Sequence, residues 1–448
     1  MIRIRTIFTL ILTMALALTT TIAQPEKRII HLSWKQVVDI SLKDNLGLKS
    51  KLLDYETQNL ETLKSLTLFL PSLNYQGVAQ HNLELPVFVF MGQRFVVGTP
   101  YTFQHSLNLA LPIITGGSRW INYSIQRKVS KALAEELRGK EEETVLNAVQ
   151  AYYGIILSNE LAKTAEDAVR VAKQNLEQVQ RFYEVGTATE LDYQRAKAQY
   201  SSTLPMLESA FAASRLSIQR MKTLLDIPLT DSLVVVDNLD KKEFLNEIAA
   251  MSLVHLKALS NENRNDIKAL QYQKDVAQSG VHLAMGQFTP TVTLIGAVDH
   301  MAPLENSRVT WSDYIRSKSL TLSVSWPLFQ GGKRLLDYQQ AKIKSDQMDL
   351  IVKQARAGIE LDVEQSYYSY LESFKSLQGL KDALDQFNES LRISNILYSQ
   401  GMSSQLDVLN AQLLYTKSKS DYLQGVYRYN VSQLSLMKSV GLLDQLWK

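Results

Sequence analysis

Ser319-Leu320-Thr321-Leu322-Ser323-Val324-Ser325-Trp326, then Pro327 and Gly331-Gly332, is the stretch that decides the fold. The octet alternates hydroxyl and apolar side chains, the period of a strand with one wet and one apolar face. After the glycines comes a proline-free segment from Lys333 to about Gln400. Val363, Tyr367, Tyr370, Phe374, Leu377, Leu380, Leu384, Phe387 and Leu391 recur along it at steps of three and four. That spacing keeps the apolar side chains in one seam of a helix. At about 1.5 Å per residue such a helix spans on the order of 100 Å, so it must pack along other helices as in a coiled-coil tube or bundle. The pattern breaks at Gly401, and a second helical pattern runs back from Leu406.

The same unit occurs earlier in the chain. Leu109-Ala110-Leu111-Pro112 with Gly116-Gly117 corresponds to Ser325-Trp326-Pro327 with Gly331-Gly332 at an offset of 215 residues (331 − 116). Glu184-Val185-Gly186 and Ser399-Gln400-Gly401 share that offset, as do Leu191-Asp192 and Leu406-Asp407, and Ala196 and Tyr200 with Ala411 and Tyr415. Upstream, Phe69-Leu70-Pro71 corresponds to Phe288-Thr289-Pro290 at 219 (290 − 71), which places a length change in the strand–loop–strand region between. An ordered series of this kind is a duplication. Each half reads helix, strand, loop, strand, very long helix, glycine turn, returning helix. The first repeat takes residues 24–226, a connecting segment 227–247, and the second repeat 248–448.

Taken in order, a helix is expected from Leu32 to Leu70, with Ser33 as its N-cap and Pro71 after its end. Four strands are expected near 72–82, 102–112, 290–299 and 318–327. The aromatic run Val87-Phe88-Val89-Phe90 falls in the loop between the first two, and His105 falls on an apolar face near the loop end. The first long helix is expected from about Ser118 to Val185, and Thr189 caps the helix that returns. Each strand has about the ten residues that cross a bilayer when tilted. Hydroxyl and amide residues would then line a water-filled lumen while leucines and aromatics meet lipid. Four strands cannot close around a lumen, since small barrels start at about eight, and open edges are not tolerated in lipid. Several copies must therefore contribute strands.

Arg3 and Arg5, an apolar run from Ile7 to Leu18, and Thr21-Ile22-Ala23 predict a secretory signal peptide over residues 1–23. The chain has no cysteine, which excludes disulfides, thiolate metal sites and a lipidated cysteine. Removing two arginines from 48 basic residues leaves 46 against 45 acidic ones, a balance that gives no reason to expect nucleic-acid binding.

The duplicated blocks Arg181-Phe182-Tyr183-Glu184-Val185-Gly186-Thr187-Ala188-Thr189-Glu190-Leu191-Asp192 and Tyr398-Ser399-Gln400-Gly401-Met402-Ser403-Ser404-Gln405-Leu406-Asp407-Val408-Leu409 carry a family resemblance. With the strand–Pro–Gly-Gly–helix units, they make the chain similar to the outer-membrane efflux protein family typified by TolC, from about Leu32 to Leu443. The resemblance implies a mostly α protein with membrane β-structure. In it a homotrimer forms a twelve-stranded outer-membrane β-barrel, four strands per chain, continued by a long periplasmic α-helical barrel. It implies an exit duct in a tripartite efflux or type I secretion system of a Gram-negative bacterium, exporting small molecules such as drugs and toxic compounds. The duct works with a periplasmic adaptor and, through it, an inner-membrane pump of the RND or ABC type. The adaptor would meet the tip at Gly186, Thr187, Ala188, Gly401, Met402 and Ser403. Acidic side chains on the helix just after the second turn would ring the aperture: Asp407 matches such a position, and Asp192, its repeat mate, is a further candidate. Asn410 and Ser403 depart from the type member, where an acid and an arginine stand, whereas Tyr398 is retained. The expected gate is therefore less negative and differently latched.

No catalytic constellation competes. His31, His81, His105, His255, His282 and His300 lack the i, i+4 pairing and glutamate of a zinc hydrolase helix. Gly331-Gly332-Lys333-Arg334 lacks the glycine spacing and following hydroxyl of a phosphate loop. The reading is a non-enzyme without cofactor or metal. The rival is a periplasmic coiled-coil scaffold or adaptor without its own pore, which suits the helices but leaves the alternating strands unexplained.

Overall fold

The structure, a computed structural model, describes residues 28–448 apart from 246, 247 and 249. The expected signal peptide lies outside the described residues, as does the expected end of the connecting segment at 246–247.

The chain opens with β1 (Ile29–Leu32), α1 (Trp34–Asp44) and α2 (Leu46–Thr67). Ser33 is the N-cap of α1, in a capping box with Gln36. The single helix expected from Leu32 to Leu70 is two, preceded by a strand. The break is at Asn45, whose ψ of 121° leaves the helix while its side chain accepts from the Leu48 amide. An asparagine that bonds neighbouring backbone competes with the helix at its own position, and apolar spacing does not register this.

Next come β2 (Ser72–His81), a hairpin of β3 (Val87–Phe90) and β4 (Gln93–Val96), and β5 (Tyr101–Thr115). The aromatic run read as loop is thus a strand, with Phe88 opposite Phe95. Its two-residue turn has φ of 47° at Met91 and 79° at Gly92, the pairing that suits hairpin twist. Then follow α3 (Ser118–Glu184), α4 (Glu190–Leu224), β6 (Ser232–Val235), α5 (Leu253–Asn263), α6 (Asn265–Gly286), β7 (Thr291–Leu304), β8 (Ile315–Ser325), α7 (Lys333–Ser399) and α8 (Gln405–Val440). The two long helices, α3 and α7, each have 67 residues.

β2-β5-β7-β8 form one antiparallel sheet in that order. The central strands outrun the expected ranges, at 15 and 14 residues, because each pairs with the other from Tyr101↔Leu304 to Thr115↔Thr291. The register stacks like on like. Leu73, Leu109, Gly296 and Leu320 form one row, and Leu111, Leu294 and Leu322 the next. On the opposite face Asn74 pairs with Asn108, Gln76 with Ser106, Ser106 with Asp299, and Thr293 with Ser323, interrupted by Ile295, Met301 and Ile315. Both faces of the edge strands are bare: every residue of β2 and of β8 is exposed, Leu320 to 76%.

The duplication reaches individual contacts where strands meet helices. Arg119 lies over the Phe69 ring and donates to the Leu68 carbonyl; Arg334 lies over Phe288 and donates to the Gln287 carbonyl. Each guanidinium satisfies the carbonyls that a helix end leaves unpaired.

The buried core is far from the sheet, midway along the long helices. β1 pairs in parallel with β6, so the connecting segment 227–247 contains a strand. Tyr152 and Tyr153 of α3 are fully buried there, and the Tyr152 hydroxyl donates to Leu32 O at 3.0 Å and Asp237 Oδ2 at 2.6 Å. From α8, the Asn430 and Gln433 amides donate to the Asp240 and Lys242 carbonyls and accept from the Lys242 and Phe244 amides. These paired bonds tie the irregular segment to the helices, as buried polar groups require.

Candidate functional site at the paired turns

The ends of α3 and α7 farthest from the sheet turn back into α4 and α8 with one hydrogen-bond frame used twice. The Gly186 amide donates to Tyr183 O and the Thr187 amide to Phe182 O at 2.8 Å; Gly401 donates to Tyr398 O and Met402 to Leu397 O at 2.9 Å. This is the double closure that satisfies the last carbonyls of a helix, and it requires a left-handed residue. Gly186 has φ 79° and Gly401 φ 75°. A Cβ at either would meet open space, so backbone conformation alone selects glycine.

Each returning helix then starts with a capping box. Thr189 Oγ1 accepts from the Asp192 amide at 3.1 Å, and Asp192 Oδ2 accepts from the Thr189 amide and hydroxyl. Ser404 and Asp407 repeat this, and Asp407 Oδ2 takes a further hydroxyl from Ser403 at 3.0 Å. Hydrogen bonds from Ser404, and then Ser403, hold the Asp407 carboxyl below the usual carboxylate range. Both acids are therefore structural caps, the plain role of a first-turn acid. That role leaves the charge in place: Asp407 is exposed and ionised.

The repeats diverge one turn later. Arg195 Nη1 lies 3.9 Å from Asp192 Oδ1, whereas the equivalent position after Asp407 is Asn410, exposed and neutral. Asp192 thus has a cation beside it and Asp407 has an amide. Of the two candidate acids, Asp407 retains its negative charge uncompensated at the tip. The 215-residue offset already connects Arg195 to Asn410, so this signal was available in the sequence; considering Asp192 without its i+3 neighbour missed it.

Tyr398 does not stand free. Its ring packs on Phe182 with centroids 5.9 Å apart, joining the second turn to the first, and burial followed by the charge of Asp192 pushes its hydroxyl pKa up. The partner Phe182 was not singled out from sequence. The outer surface of the turns is apolar, with Val185 73%, Leu191 57%, Met402 64% and Leu406 47% exposed. Leu191 and Leu406 are repeat mates, so the two turns offer similar apolar faces. Thr187, Ala188 and Ser403 complete the turns, the Thr187 hydroxyl donating to Phe182 O. Chemically this is an apolar tip with an acidic patch. Among the described residues no group of three or more His, Asp or Glu is arranged to hold a metal.

Comparison with known proteins agrees with this geometry. Residues 69–220 and 257–442 match the family described as outer membrane efflux protein. The outer membrane protein TolC of Salmonella enteritidis is 21% identical over 344 residues, covering 73% of this chain and 67% of the relative. The alkaline protease secretion protein AprF of Pseudomonas aeruginosa is 21% identical over 328 residues, covering 72% and 67%. Among solved structures, the Campylobacter jejuni CmeC outer membrane channel superposes with a TM-score of 0.79 at 17% identity, covering 92% of this chain and 86% of that one. The family match spans both repeats, including both turns, and on it this chain belongs to the outer membrane efflux protein family.

Proposed function

We propose that the chain is the outer-membrane exit duct of a tripartite efflux or type I secretion system. Three copies pool four strands each into a twelve-stranded barrel, and the helices continue it into the periplasm as a tube. One observation carries this reading. The sheet has two open edges, both faces of its edge strands are bare, and its register sorts apolar side chains to one face and hydroxyl or amide side chains to the other. A sheet of that kind is satisfied only when lipid covers one face, water the other, and further strands its edges. Family members are channels rather than enzymes, and the solute here passes without chemistry.

The tip supplies the periplasmic contacts. Its apolar faces around Gly186 and Gly401 suit the helical hairpins of an adaptor, which links the duct to an inner-membrane pump. Three copies of Asp407 around a narrow aperture would attract cations and repel anions.

The purified full-length protein tests the reading. An SDS-resistant, heat-modifiable trimer that conducts in planar bilayers is the expected result. A water-soluble species without conductance supports the scaffold instead.

A further inference from the structure

The loop end of the sheet's apolar face is built differently from the rest of it. One row lines up Gly77, His105, His300 and Arg316, and Lys318 stands in the next row beside Val298. Directly opposed side chains on one face are about 5 Å apart, and like charges there repel. Arg316 and Lys318 are exposed, and among the described residues neither makes an ion pair.

Nearby acids are engaged elsewhere. Asp299 is on the opposite face and accepts the Ser106 hydroxyl at 2.6 Å; Asp313 Oδ2 accepts the Thr310 amide and hydroxyl. β2, which would abut β8 in a closed barrel, contains no acid. Closure therefore sets no acid of an adjoining strand beside the cations.

Aromatic packing fixes their depth. His105 is held between Tyr75 Oη at 2.6 Å and Tyr314 Oη at 2.9 Å, with the Trp311 ring 6.1 Å away. With both ring nitrogens engaged, His105 organises the cluster rather than binding a ligand. Amphipathic aromatics of this kind collect at a membrane–water interface. The cations thus stand at headgroup level, at the end opposite the long helices. Leu320, Leu322 and Val324 continue the same face below them.

We propose that Arg316 and Lys318, with His300 beside them, bind the phosphate of an outer-leaflet membrane lipid whose acyl chains lie on the leucine rows. The inference rests on the barrel reading and adds a ligand class to it. Cationic side chains satisfy phosphate oxygens with charge-assisted hydrogen bonds, and among the described residues no carboxylate is paired with Arg316 or Lys318.

Native mass spectrometry of the full-length protein, exchanged into bisphosphorylated lipid A or its phosphate-free counterpart, tests this. The wild type should retain the phosphorylated lipid preferentially. Replacing both residues (R316S with K318S) should lower retention about thirtyfold, from roughly 1 kcal/mol lost per basic residue. The same preparation is read for planar-bilayer conductance. A conducting double variant with undiminished retention overturns the lipid site alone, whereas a wild type that neither trimerises nor conducts overturns the barrel and the site together. Should the double variant fail to assemble, Arg316→Gln alone is measured, and unchanged retention there is equally fatal. Displacement of the lipid by inorganic phosphate would overturn the membrane source.

Discussion

At the residue scale the two repeats are not equal, and Asp407 against Asn410 is where they part. With a cation at the mate position, Asp192 contributes little field, while Asp407 contributes its full charge. Asp407→Asn should move the reversal potential across a salt gradient toward zero, and Asn410→Arg should do nearly the same without touching the acid. Unchanged reversal potentials in both variants would remove the filter role. Because hydrogen bonds from Ser404 and Ser403 lower the Asp407 pKa, its charge persists as pH falls through the ordinary carboxylate range. The sign follows: the cap's contribution is present above the ordinary carboxylate pKa and is lost only as pH drops through the lowered one. Selectivity should therefore outlast mild acid, and Ser403→Ala should make it fail at higher pH.

At the scale of elements, each turn depends on backbone shape rather than space. Gly401→Val forces a β-branched residue to φ 75°, at a cost of about 1–2 kcal/mol, although no neighbour would clash. Gly401→Asn, tolerant of that region, should be nearly silent. Thermal melts and adaptor pull-down on both variants check this; normal docking by the valine variant counts against the tip. Higher up, α3 and α6 meet through Glu142, buried and accepting from Asn265 Nδ2 at 2.8 Å. Burial, followed by the charge of Asp444, raises its pKa from 4.5 to about 7. The protonated acid is the form the fold prefers, so its contribution is full below 4.5 and is lost as pH rises through about 7. Stability should drop by on the order of 2 kcal/mol between mildly acidic and mildly alkaline solution. Melting temperature against pH should show that slope in the wild type and lose it in Glu142→Gln.

At the scale of the whole molecule, the sheet's two faces should respond oppositely to the same side chain. Leu322→Arg places a charge on the face assigned to lipid and should cost about 2–4 kcal/mol near mid-membrane, lowering the yield of assembled protein. Thr321→Arg, one residue earlier and on the other face, should assemble normally and reduce single-channel conductance. Equal tolerance of both would contradict the assignment of faces. The position of the core fits this division of labour. The packed tyrosines and paired amides sit around Tyr152, Asn430 and Gln433, holding the long helices together far from the sheet.

Much of this was legible in the sequence because the signals are periodic and local. Alternation at Leu320, Leu322 and Val324, three-and-four spacing along the long helices, and glycine at 186 and 401 each report the conformation of their own neighbourhood. The duplication then made weak signals count twice. The hairpin at Val87–Phe90 and the break at Asn45 were missed because a cap bond and a two-residue turn leave no period. Side-chain chemistry depended on which strands and helices became neighbours. Alternation could place His105 on the apolar face, but only the register set His300 beside it and Arg316 beside His300; only packing brought Phe182 onto Tyr398 and buried Glu142 against Asn265. Periodicity is encoded residue by residue along one chain, whereas juxtaposition across elements depends on the summed packing of all of them, which no local stretch carries.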